Sequence, residues 1–130
     1  MRVSYFLPAL GWALIVLAAI SMPASRIPGS DLLKLPHIDK LIHGLLFMVF
    51  AILLAYGFFR QNKQRIPGKY YLILTLSIGI IYGLATELMQ FWMLPGRHGN
   101  LGDFIANTIG TIFGLLLFRA FIAGRLKKPA

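Results

Sequence analysis

Four apolar stretches of about twenty residues each, separated by short polar segments, leave this chain few ways to fold. They cover about residues 5–22, 39–59, 70–94 and 102–122. An α-helix needs roughly 17–25 such residues to cross the hydrocarbon core of a bilayer. In that medium each backbone N–H and C=O must be satisfied inside the segment, which favours helices. The 130 residues are 58% hydrophobic, against about 45–50% for a soluble domain. The expected fold is all-α: one domain over residues 1–130, a four-helix transmembrane bundle. The intervening segments PASRIPGSDLLKLPHI, RQNKQRIPGK and PGRHGN are rich in Pro, Gly and charge, as loops are.

The first stretch invites a rival reading as a cleaved leader, because Arg2 precedes it and small residues follow. Its apolar run exceeds the signal-peptide core of about 7–15 residues, and Met22-Pro23-Ala24 is a poor cleavage site. A retained helix is expected. The chain has no cysteine, which removes disulfides and thiolate metal ligands.

The formal charge of +9 reads as topology rather than as affinity for nucleic acid. With four spans, the side holding both termini and the second loop carries Arg2, Arg60, Lys63, Arg65, Lys69, Arg119, Arg125, Lys127 and Lys128. The opposite side carries only Arg26, Lys34, Lys40 and Arg97. An excess of Lys and Arg marks the cytoplasmic side, so both termini are expected in the cytoplasm. The acids Asp31, Asp39, Glu87 and Asp103 then lie toward the outer side.

The stretch ELMQFWMLPGRHGNLGDFIANTIG, residues 87–110, holds two of the four acids. Ionisable groups in a spanning helix cost about 2.5–3.5 kcal/mol each at the centre on insertion scales. At a rise of about 1.5 Å per residue, Glu87 lies roughly 10 Å below the outer surface, and His43 and Asn107 roughly 6–8 Å below it. Three separate helices thus place polar groups at nearly one level. Spacing adds Asp39 to the face of His43, Gln90 to that of Glu87 and Asp103 to that of Asn107. The PGRHGN turn lets Arg97 reach toward Asp103 or Glu87. The small residues Gly79 and Gly83 lead by the same step to Glu87, and Ala106, Gly110 and Gly114 form a ridge beside Asn107. Such ridges let helix backbones approach in lipid. The candidate site is therefore Asp39, Lys40, His43, Glu87, Gln90, Arg97, Asp103 and Asn107. Plainer roles exist for several members: interfacial anchoring for Asp39, Lys40 and Arg97, a helix-start acid for Asp103, and a packing hydrogen bond for Glu87 and Asn107. His37 and His98 read as loop residues. The aromatics Trp12, Phe47, Phe91 and Trp92 are expected at the lipid or the interface.

At these residues the chain resembles the VanZ-like family of small bacterial membrane proteins. The motifs are Asp39-Lys40-Leu41-Ile42-His43, then Glu87-Leu88-Met89-Gln90, Arg97, and Asp103-Phe104-Ile105-Ala106-Asn107-Thr108-Ile109-Gly110. The match covers about residues 38–115, and the first span fits by position. His98-Gly99-Asn100 stands outside the pattern. The resemblance implies a protein of the bacterial inner membrane, in a family named for a component linked to glycopeptide (teicoplanin) tolerance. It brings no established reaction with it.

Three functions fit. The first is an outward-facing polar pocket that binds a lipid headgroup or amphiphile, such as a polyprenyl-phosphate carrier or a lipid-tailed small molecule. Arg97 and Lys40 would meet its anionic group, and Glu87, Gln90 and Asn107 would orient it. The second is a membrane-embedded enzyme of envelope lipid metabolism, with Glu87 or Asp103 as general base and His43 as acid. The third is a proton-coupled transporter acting as a homo-oligomer, although transporter sites lie nearer the midplane and between repeats. No cofactor is called for. A metal held by His43, Glu87 and Asp103 is chemically conceivable, but no zinc-type spacing supports one, so no metal is expected.

Overall fold

The computed structural model describes residues 2–22, 26, 31, 35, 37–61, 68–94 and 100–126, and among them there is no strand. A 3₁₀ turn at Val3–Tyr5 leads into α1 (Leu7–Ser21), followed by α2 (Ile38–Gln61), α3 (Gly68–Met93) and α4 (Leu101–Leu117). A π-helical turn, Phe118–Ile122, carries α4 into a last helical turn, Ala123–Leu126. Three helical stretches are long and apolar enough to cross a membrane: Ile38–Gln61, Gly68–Met93 and Leu101–Arg125.

The first helix is shorter than its apolar run. Its 15 residues reach about 22 Å at the helical rise, less than the roughly 30 Å hydrocarbon thickness. Both ends have local causes. The chain before Leu7 is wound as a 3₁₀ turn, closed by the Phe6 amide on the Val3 carbonyl at 2.9 Å. Met22 is extended, with φ −73° and ψ 126°, the conformation a following proline imposes, and Pro23 comes next.

The outside of the bundle is apolar, and several polar groups lie inside it beside the hydrophobic core. Ile81, Phe113, Leu116 and Ile109 stand half or more exposed, while His43, Thr75, Glu87, Gln90, Asp103, Asn107 and Thr111 are buried. A lipid solvent reverses the usual cost of exposing apolar side chains and makes buried polar groups pair with one another. The helices are held by small residues. A Cβ added at Gly110 would fall on the Gly44 carbonyl of α2, and one at Gly114 on the Met48 carbonyl. The same addition at Gly79 or Gly83 of α3 would strike Thr111 or crowd Asn107 of α4. The ridges expected from sequence therefore set the α2–α4 and α3–α4 approaches, and α2–α4 is the most extensive helix pair.

Two aromatic groups fix which helix ends lie together. Phe59, Tyr71 and Phe118 meet edge to face, with centroids 5.8–6.1 Å apart. They bring the end of α2, the start of α3 and the end of α4 to one end of the bundle. Arg2 joins this end through its backbone N–H to Gln61 Oε1 at 2.9 Å, and Arg60 lies over the Tyr5 ring at 5.5 Å. Phe47, Phe50 and Tyr82 form the second group. Phe47 is fully buried, which corrects the expectation that it faces lipid. It lies one turn after His43 and so shares the inner face of α2. Trp12 also points inward in part, and its indole N–H donates to the Leu46 carbonyl at 2.9 Å. Phe91 and Trp92 are exposed, as expected.

Candidate functional site

At the end of the bundle away from Arg2, three helices contribute to one polar centre. In α2, Asp39 and His43 are one turn apart and Lys40 is between them, at the helix start. Glu87 sits in the last turns of α3, and Asp103 and Asn107 in the first turns of α4. The small residues below them allow the helices to converge there.

Asn107, only 1% exposed, is the hub. Its Nδ2 donates to Glu87 Oε1 at 3.2 Å, and its Oδ1 lies 3.1 Å from His43 Nδ1. With Glu87 a carboxylate, which accepts only, the amide has one consistent orientation. In that orientation Asn107 Oδ1 accepts from His43 when Nδ1 carries the ring proton. The Glu87 carboxylate also approaches His43 Nδ1 at 3.7 Å. Its second oxygen accepts the Asn100 backbone N–H at 3.2 Å. Asn100 caps α4, accepting the Gly102 N–H on its side chain at 2.7 Å. The carboxylate is thereby tied to a helix start, where the backbone partial charge is positive.

Beside this chain, Lys40 Nζ lies 3.5 Å from Asp103 Oδ1. The lysine stem crosses the start of α4 at Gly102, where a Cβ would meet it. Asp39 Oδ1 is 4.0 Å from His43 Nε2. Asp39, His43 and Asp103 each offer a ligand atom, all within 4.8 Å of one another. Asp39 forms the open side of the centre, with its side chain 41% exposed, whereas those of His43 and Asp103 are 5% and 9% exposed.

Of the residues expected at this site, Asp39, Lys40, His43, Glu87, Asp103 and Asn107 come together. Gln90 does not join them. It is buried, but its Nε2 donates to the Ile20 carbonyl at 3.1 Å, tying α3 to the end of α1. Arg97 and His98 lie outside the described residues, and His37 is exposed in a turn. Asn100 is the member that site reasoning passed over. Its signal was the N-cap position before Leu101-Gly102-Asp103, a place that favours Asn.

An apolar groove of about 540 Å³ lies elsewhere, between α1, α2 and α3, lined by residues including Phe6, Ala13, Phe50, Leu54, Ile78 and Tyr82. The Phe47–Tyr82 layer separates it from the polar centre.

Fold and site together define a small helical membrane bundle with a buried polar centre at one end. The model of the VanZ/LLP1 family matches residues 6–123, and the chain belongs to that family. The match takes in α1 as well as the three helices that carry the motifs. Comparison with curated proteins and with solved structures gives no match.

Proposed function

We propose that the chain is a multi-pass protein of the bacterial inner membrane whose polar centre faces outward and binds the headgroup of an envelope amphiphile. The distribution of Lys and Arg between loops supports this orientation. The observation that carries the reading is the hydrogen-bonded chain His43–Asn107–Glu87 beside the Lys40–Asp103 pair, drawn from three helices. Interhelical hydrogen bonds average only about 0.6 kcal/mol in membranes. That gain is small against the cost of burying carboxylates, so a ligand role accounts better for Glu87 and Asp103 than packing does. Lys40, half-exposed, supplies a cation for a phosphate or carboxylate. Asn107 and Glu87 orient neutral donors and acceptors, and the exposed apolar faces of the helices leave a tail in the surrounding lipid. A polyprenyl phosphate or a lipid-tailed antibiotic meets this description, and the latter would connect the centre to glycopeptide tolerance.

The test is thermal unfolding of the detergent-solubilised protein titrated with a short-chain polyprenyl phosphate. Ligand at a hundredfold its Kd adds about 2.7 kcal/mol of stability, a readily measured rise in Tm. The rise is expected in the wild type and lost in the Glu87→Gln/Asp103→Asn double variant. An equal rise in both proteins would remove the centre from binding.

The approach of the Glu87 carboxylate to His43, 3.7 Å, also supports a second reading: a membrane-embedded enzyme of envelope lipid metabolism that uses this pair for proton transfer. Turnover of a labelled lipid by the wild type, abolished in Glu87→Gln, is the result that reading requires.

A further inference from the structure

We infer that Asp39, His43 and Asp103 form a binding site for a divalent first-row transition cation of the Zn²⁺ or Mn²⁺ type. One imidazole and two carboxylates from two helices present ligand atoms within 4.8 Å of one another. Zinc with bonds of about 2.0–2.2 Å holds tetrahedral ligands about 3.5 Å apart. The trio would have to close by about 1 Å to reach that spacing, and Asp39, with its side chain 41% exposed, is the member least held by packing.

The orientation of His43 is the independent observation. The ring is buried, and Asn107 Oδ1 holds its Nδ1–H at 3.1 Å. This is the outer-shell hydrogen bond that fixes a metal-binding tautomer and ring plane. Nε2, on the other side of the ring, lies 4.0 Å from Asp39 Oδ1. A cation placed among this imidazole and the two carboxylates is attracted by all three.

Charge points the same way. The centre gathers three acidic side chains, Asp39, Glu87 and Asp103, around the single ammonium of Lys40, an excess of acid that favours a cation. Lys40 occupies one oxygen of Asp103 at 3.5 Å and competes with the metal. Its side chain is 38% exposed and free to swing out. Glu87 is not a ligand in this arrangement and acts through Asn107 on the imidazole. Three protein ligands leave coordination positions for water or an anionic oxygen. The site rests on ligand geometry alone and does not depend on the headgroup reading.

The test is a titration of purified, metal-stripped protein with Co²⁺ in the absence of added amphiphile, followed by visible absorption and by the bound-metal ratio. One Co²⁺ per chain, displaced by Zn²⁺, is expected. Asp39→Asn and Asp103→Asn should each weaken binding at least tenfold, and Asn107→Ala by about 10–100-fold as an outer-shell change. Lys40→Met should tighten it, a gain that damaged folding cannot imitate. Absence of a Co²⁺ band in the wild type, or binding indifferent to Asp39→Asn and Asp103→Asn, would overturn the assignment. Weaker binding in Lys40→Met would do the same.

Discussion

Asn107 connects two buried partners, Glu87 and His43, through one amide. Replacing it by Ala leaves Glu87 and His43 without their shared amide, so the expected loss is about 1–3 kcal/mol, read from unfolding in mixed detergent micelles. Thr75 is the opposite case. It is fully buried, and its hydroxyl has no hydrogen-bond partner among the described residues. Thr75→Val keeps the shape and removes the unpaired group, so it should raise stability by about 1 kcal/mol; a loss in the same assay would contradict that assignment. Sequence alone made Asn107 legible, because a lone amide in an apolar run at the level of Glu87 and His43 has few roles. Gln90 misled for a physical reason. Its i,i+3 spacing does place it near the face of Glu87, but its flexible side chain turns to the Ile20 carbonyl of α1. Nothing in the spacing of α3 encodes where α1 ends.

Among the helices, glycines divide into those that set an approach and those that do not. Gly110→Ala puts a methyl on the Gly44 backbone and must part α2 from α4. Overpacking of this kind costs about 1–3 kcal/mol, and here it should also loosen the polar centre above it. Gly11 of α1 has nothing within 4 Å of an added Cβ, so Gly11→Ala should gain about 0.5–1 kcal/mol from backbone entropy. Unfolding of the two variants side by side checks both signs. The long helices and their small-residue ridges were readable because span length and i,i+4 spacing are local properties. The apolar run at about residues 5–22 lies close to α1, Leu7–Ser21, but hydropathy does not distinguish the helix from the 3₁₀ turn at Val3–Tyr5 that leads into it. Phe47 was misplaced for a related reason: a uniformly apolar span does not show which of its faces meets another helix.

Across the whole molecule, the bundle separates a basic end, with Arg2 and Arg60, from an end where Asp39, Glu87 and Asp103 gather. Loop charge alone suggested this polarity, and the pairing of helix ends through Phe59, Tyr71 and Phe118 agrees with it. Because the chain lacks cysteine, single Cys substitutions report the sidedness directly. Ser4→Cys and Arg125→Cys should react with a membrane-impermeant thiol reagent only after cells are opened, whereas His37→Cys, exposed in the turn before α2, should react in intact cells. The reverse pattern would turn the polar centre toward the cytoplasm. The central claim is that this centre holds a molecule rather than merely pinning three helices together. Native mass spectrometry of the wild type beside Glu87→Gln/Asp103→Asn tests it most directly. The account predicts that the wild type retains a lipid or other amphiphile that the double variant releases. An empty wild type, with a double variant indistinguishable from it, would contradict the claim and leave the polar residues as helix-packing groups.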